Sequence, residues 1–291
     1  MFEGTYVAIV TPFKNGQIDE EALRNLVDYL IENKVEGIVP CGTTGESATL
    51  SYDEHIEVIK IVKDEAKGRC KIIAGTGSNS TNEAIYLTKE AESLGVDGAL
   101  LITPYYNKPN QEGLYRHFMA VAKNTKLPII LYNVPSRTGV NMLPETTARL
   151  FKDAENIVAI KEASGDVIAS AKILDLTDGK MEVLSGDDAL TLPLMSIGAK
   201  GVISVTANVL PYDVSEMVRY ALKGDFEKAK KLFYKLLKIN KVMFIDTNPI
   251  PVKTALALMG KIKKEWRLPL CETTPEKEEI IKNTLKEYGL I

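Results

Sequence analysis

The chain has 291 residues, 45% hydrophobic and 26% charged, with a formal net charge of -3, three cysteines and two histidines. That composition fits a globular chain with ample core, undivided at this length, and its mild negative balance without a basic run argues against a nucleic-acid partner. Cys41, Cys70 and Cys271 are far apart and are joined by only His55 and His117, so neither a disulfide framework nor a metal site is expected.

From the N-terminus, Met1-Phe2-Glu3-Gly4-Thr5 shows no basic start or long apolar run, and no segment approaches the roughly 18 apolar residues of a membrane span, so a reduced, cytoplasmic setting without membrane contact is expected. Short β-rich runs then recur along the chain: Val7 to Val10, Gly37 to Val39, Ile72 to Ala74, Ala99 to Ile102, Ile129 to Tyr132, Ile157 to Ile160, Glu182 to Leu184 and Val202 to Val205. Most are nearly all apolar, as strands covered on both faces are. Between them lie amphipathic helical patterns. Asp19 is an N-cap before the stripe Leu23, Leu26, Val27, Leu30 and Ile31, and Ser51-Tyr52-Asp53-Glu54 and Ser80-Thr81-Asn82-Glu83 both have capping-box form.

Strand, loop and helix in repetition predict an α/β protein, a (β/α)8 TIM barrel over residues 1–224. Residues 225–291 keep helical periodicity, show no strand and are punctuated by Pro249, Pro251 and Pro269. They read as a C-terminal α-helical extension on or beside the barrel. A separate all-α domain is the alternative, but no Ser/Gly linker marks a boundary.

In such a barrel the chemistry gathers in the loops that follow the strands. After the second run, Gly42-Thr43-Thr44-Gly45-Glu46 offers converging N–H groups and two hydroxyls, suited to a carboxylate, or else a plain tight turn. Gly75-Thr76-Gly77 lacks the third glycine of a dinucleotide loop. Tyr105-Tyr106 follows the fourth run, either as packing residues or as a proton path. Arg137 lies just past Tyr132 in Asn133-Val134-Pro135-Ser136-Arg137-Thr138-Gly139, and its planar fork matches a carboxylate. Asp187 and Asp188 after the seventh run disfavour the phosphate site that many barrels build there, and with it a sugar-phosphate substrate.

Lys161 closes the sixth run as Tyr132 closes the fifth. By itself a strand-end lysine is most simply a partner for a surface carboxylate. In free solution its amine is neutral in only about one molecule in a few thousand at pH 7, so Schiff-base chemistry needs a partly dry site and a proton carrier nearby. Tyr132 on the adjoining strand can be that carrier.

Gly42 to Glu46, Tyr105-Tyr106, Tyr132 to Gly139, Ile160-Lys161-Glu162-Ala163, Ser185-Gly186-Asp187-Asp188, Gly201-Val202-Ile203-Ser204 and Asn248-Pro249-Ile250-Pro251-Val252-Lys253 together resemble the dihydrodipicolinate synthase family, among the class I pyruvate aldolases that include N-acetylneuraminate lyase. The resemblance spans essentially the whole chain. It implies condensation of pyruvate with L-aspartate β-semialdehyde in the diaminopimelate route to lysine, with no metal or organic cofactor. By the family's pattern Lys161 forms the Schiff base, Tyr132 moves protons, and Thr43 and Tyr106 complete a hydroxyl relay, Tyr106 coming from a neighbouring subunit. Thr44 and the backbone around Ile203 hold the pyruvate carboxylate near Gly186, and Arg137 binds the carboxylate of the semialdehyde.

Arg137 separates this reading from N-acetylneuraminate lyase and the 2-keto-3-deoxy sugar-acid aldolases, which lack an arginine at this point. A noncatalytic barrel that binds small carboxylates is the remaining alternative. The resemblance also implies a homotetramer built as a dimer of dimers. In lysine-inhibited members an L-lysine effector site lies at the dimer interface, and the matching positions are Ser47, Ala48, His55, Asn79, Glu83 and Tyr105. That match is incomplete, because Tyr52 stands where a histidine often occurs, and the capping box gives Glu83 a purely local alternative role.

Overall fold

A computed structural model describes all 291 residues. Eight parallel strands close into a barrel: β1 Gly4–Ala8, β2 Gly37–Val39, β3 Lys71–Gly75, β4 Gly98–Ile102, β5 Ile129–Asn133, β6 Ile157–Glu162, β7 Glu182–Ser185 and β8 Gly201–Ser204. Closure is made by β1, which pairs with β2 on one side and β8 on the other. Each strand returns through at least one helix on the outside, so apolar residues line both faces.

The two faces divide cleanly. Tyr6, Ala8, Val39, Ile73, Leu100, Ile130, Tyr132, Ala159, Leu184 and Ile203 form the inner core with Phe2 as a floor. Their neighbours in sequence, such as Val7, Ile38, Ile72, Leu101, Leu131, Ile160, Val183 and Val202, point outward into the helix layer. Alternation breaks once, in β6. Its pairing with β5 shifts between Ile129 and Ile130, which face Ile157 and Ala159, so Val158 is the extra residue of a β-bulge. Val158 and Ala159 both pack on the inner core.

All eight expected strands are present. The first differs most, because the ladder with β8 starts at Gly4 and the chain leaves the barrel toward Pro12, which has no N–H to offer. A small hairpin, Phe13–Lys14 with Gln17–Ile18, was absent from the sequence reading. Its signal was there: Asn15-Gly16, with φ of 55° and 78°, fits the turn that joins two-residue hairpins. The Asn15 and Gly16 N–H groups donate to the Glu265 carboxylate at 2.9 and 2.6 Å, fixing the hairpin to the C-terminal part of the chain.

Asp19 caps its helix as expected, and Ser51 with Glu54 makes a full capping box. The box expected at Ser80 is only half made. The Ser80 hydroxyl accepts from Glu83 N–H, but the Glu83 carboxylate accepts from Ser78 Oγ at 2.8 Å, and that same hydroxyl takes the Ser80 N–H. The nearer serine intercepts both groups. Beyond Asp225 the chain is helical, with helices Phe226–Val242, Ile250–Leu258 and Pro275–Glu287.

Candidate active site

A cavity of about 250 Å³ opens at the C-terminal ends of the strands. Ala8, Val39 and Leu100 contribute apolar lining, and Gly42, Thr43, Thr44, Tyr132, Arg137, Lys161, Gly186, Asp187 and Asn248 supply the remaining chemistry. The β-bulge sets this arrangement. By taking up Val158 it leaves Lys161 opposite Tyr132 with its side chain inward beside the phenol, the amine 4.3 Å from the centre of the ring.

Lys161 is buried and its pKa is drawn from 10.5 down to about 8. Burial is the main cause, the Asp188 carboxylate opposes it, and the Arg137 guanidinium adds to it. At that value about one amine in ten is neutral at pH 7. Burial pushes the Tyr132 phenol the other way, upward, with Arg137 and a hydrogen bond to Thr43 opposing. At neutral pH the pair is therefore an amine that can shed its proton beside a phenol that keeps one.

Arg137 follows the turn after β5, and its Nη2 donates to the Asn248 carbonyl at 3.1 Å. Asn248 Nδ2 in turn donates to Thr44 Oγ1 at 3.0 Å. The Thr44 hydroxyl and the Arg137 guanidinium are thus held from one residue, which sequence reasoning placed in a motif without giving it a role. Gly186 follows β7, where a Cβ would crowd Ala163 and Lys161.

Asp187 and Asp188, both expected to disfavour a phosphate site after the seventh strand, have different surroundings. Asp187 lines the cavity. Asp188 is buried, accepting from Ser204 Oγ and from the N–H groups of Val205 and Thr206 at 3.0 and 3.1 Å, and so bracing the end of β8. Burial raises its pKa despite these donors. Glu162, also unassigned from sequence, points away from Lys161 and accepts from Ser164 N–H at 2.6 Å and Asn133 Nδ2 at 3.1 Å.

Lys161, Tyr132, Thr43, Thr44, Arg137 and Gly186 thus share one cavity. Ile203 lies beneath it, its side chain in the inner core, while Val205 reaches the lining. Tyr106 does not reach the cavity of its own chain: it is 89% exposed at the surface with φ of 74°.

A second cavity of about 510 Å³ adjoins the first, sharing Thr43, Tyr132, Arg137 and Asn248. Ser47, Ala48, His55, Glu83 and Tyr105 line it, together with Tyr52. Asn79 stands behind, donating from Nδ2 to the Tyr105 carbonyl at 3.1 Å. The His55 Nε2 donates to the Gly75 carbonyl at 2.7 Å, and burial lowers the ring's pKa, so it is neutral at pH 7.

No group of three or more His, Cys, Asp or Glu is placed to hold a metal ion, and no helix is long and apolar enough to cross a membrane.

The profile of the "Dihydrodipicolinate synthetase family" matches residues 1–288. The chain is 58% identical over its whole length to the full 4-hydroxy-tetrahydrodipicolinate synthase of Geotalea uraniireducens. It superposes with a TM-score of 0.98, at 49% identity over all of both chains, on a chloride-inhibited dihydrodipicolinate synthase from Acinetobacter baumannii complexed with pyruvate. The lysine-bound enzyme from Cyanidioschyzon merolae gives a TM-score of 0.97 at 42% identity, covering 100% of this chain and 99% of that one. Barrel, cavity and likeness along the full length agree, and the chain belongs to the dihydrodipicolinate synthetase family.

Proposed function

We propose that this chain is a Schiff-base lyase that condenses pyruvate with L-aspartate β-semialdehyde to 4-hydroxytetrahydrodipicolinate, on the diaminopimelate route to lysine. The observation that carries the reading is the inward pairing of a partly neutral Lys161 amine with the Tyr132 phenol, 4.3 Å from amine to ring centre.

The Lys161 nitrogen adds to the pyruvate ketone carbon, and the carbinolamine loses water to give an iminium ion. Loss of a methyl proton gives the enamine, whose carbon attacks the aldehyde of the second substrate and forms the new C–C bond. The substrate's own amine then adds to the imine carbon and expels Lys161, closing the ring and regenerating the amine. Each step moves a proton. Tyr132 gives and takes it, Thr43 passes it on, and Tyr106 of a second copy joins the relay to solvent. Thr44 and the backbone near Ile203 bind the pyruvate carboxylate beside Gly186. Arg137 binds the carboxylate of the semialdehyde and excludes neutral polyhydroxy aldehydes.

Because Tyr106 is remote from its own cavity, this scheme needs at least a dimer, and the working form is a homotetramer arranged as a dimer of dimers. The adjoining cavity binds L-lysine as an inhibitor. Glu83, freed from the capping box, supplies a carboxylate for an ammonium group, and Tyr52 is the chain's own variation at that site. The enzyme works in the cytoplasm.

The test is steady-state turnover with pyruvate and L-aspartate β-semialdehyde, coupled to dihydrodipicolinate reductase and followed by NADPH loss. Turnover supports the reading. No turnover, with borohydride still trapping pyruvate on Lys161, would move the chain to a sister aldolase.

A further inference from the structure

The Gly42 to Glu46 loop is tied twice to one segment far away in sequence. The first tie is Asn248 Nδ2 to Thr44 Oγ1. The second, five residues further along that segment, is an ion pair between Lys253 Nζ and Glu46 Oε1 in which both side chains are completely inaccessible to solvent. Glu46 has its other oxygen occupied by the Arg267 N–H at 3.2 Å. Phe13 of the hairpin packs beneath, its ring centre 4.4 Å from both the Lys253 amine and the Arg267 guanidinium carbon.

As a device for stability this pair is a poor choice. Removing two charges from water costs much of what their attraction returns, and well-packed apolar replacements are often neutral or stabilising. The pair's place in the loop suggests another use. Glu46 holds a left-handed backbone (φ 54°), its N–H donates to the Thr43 carbonyl at 3.1 Å, and the Gly45 N–H donates to Gly42 at 3.0 Å. Fixing the Glu46 side chain therefore fixes the turn that carries both hydroxyls.

We propose that Lys253 is a positioning residue for the condensation: through its buried pair with Glu46 it sets where the Thr43 and Thr44 hydroxyls stand relative to Lys161 and Tyr132. Lys253 touches no substrate. The inference rests on the assignment of Thr43 to the proton relay and of Thr44 to the pyruvate carboxylate.

The test is the double variant Glu46→Gln/Lys253→Met, which removes both charges and leaves a side-chain amide oxygen at position 46 to accept from the Arg267 N–H. A purely structural pair predicts parental kcat and KM in whatever fraction folds. The positioning role predicts, in the folded protein and whatever its Tm, a raised KM for pyruvate and a lowered kcat, since a displacement of about 1 Å costs about a hundredfold in rate. Parental values of both constants would overturn it. If the double variant does not fold, Lys253→Arg retains the charge but alters where it sits: a kcat/KM for pyruvate down about tenfold or more at parental Tm supports the proposal, and a parental value overturns it. Thr43→Val and Thr44→Val serve as controls. If these leave kcat and KM unchanged, the site assignment has failed; if they impair turnover while the Glu46 and Lys253 variants do not, only the positioning role has failed.

Discussion

A methyl group at Gly186 would stand 3.1 Å from the Cε of Lys161 and 2.6 Å from the Cβ of Ala163. The nucleophile's stem therefore passes through space that only glycine leaves open. Gly186→Ala should move the amine off its attack line and lower kcat/KM for pyruvate by about ten- to a hundredfold, and the crowding against Ala163 should lower Tm as well. Steady-state kinetics beside a thermal melt check this; a parental kcat/KM would show that Lys161 accommodates the methyl group.

Lys161 also makes a prediction about pH. Its folded pKa of about 8 lies below the ordinary 10.5, so between those values the unfolded chain binds more protons and stability rises with pH. The cost of burying the amine is fully present below about pH 8 and is gone above 10.5. Lys161→Met should abolish borohydride trapping of pyruvate and stabilise the fold at pH 7 by on the order of 3 kcal/mol. Denaturant melts at pH 7 and near pH 10.5 measure the difference, which should shrink at the higher pH. In the parent enzyme, the rate of adduct formation should climb as pH approaches 8.

Arg137→Ala should raise KM for the semialdehyde far more than for pyruvate. Hydrogen bonds to charged groups contribute about 1.5–3 kcal/mol, which corresponds to roughly ten- to a hundredfold. Equal effects on the two substrates would remove Arg137 from its assigned place.

Tyr106 can be tested by mixing. Tyr106→Phe and Lys161→Ala should each be nearly inactive, yet hybrids in which an intact Lys161 receives an intact Tyr106 from its neighbour should regain turnover after subunits exchange. No regain, with exchange verified by mass, would place the relay within one chain.

Glu83→Ala should abolish inhibition by L-lysine without altering KM for either substrate. A parent enzyme whose activity stays flat into the millimolar range of lysine would remove the effector role.

Much of this architecture could be read from the chain. Mostly apolar runs of three or four residues, followed by glycine, proline or polar residues, mark strands covered on both sides, and all eight appear where such runs occur. Local signals were less dependable where a third residue competed. Ser78 takes the partner that Ser80 and Glu83 would otherwise share, which spacing alone does not reveal. The candidate site divides in the same way. Lys161, Tyr132 and Arg137 are chemically conspicuous at strand ends, whereas Asn248 matters through contacts across 204 and 111 positions of sequence. Lys253 carried one overlooked signal: a single charge in the otherwise uncharged stretch Pro251-Val252-Lys253-Thr254-Ala255-Leu256, which is buried throughout.

The extra residue in β6 has a consequence for how this enzyme can change. Counted in strict alternation from the outward Ile157, position 161 would face the helix layer; Val158 makes the count come out the other way. Deleting that one valine would leave Ile157, Ala159, Ile160 and Lys161 in plain alternation against the same partners on β5, so the nucleophile would keep its inward direction. The bulge is thus one residue of slack that β6 can give up, and β5 has none: loss of Leu131 between the inward Ile130 and Tyr132 would turn the phenol toward the helices, so the strand of the proton carrier tolerates a change of length less well than the strand of the nucleophile.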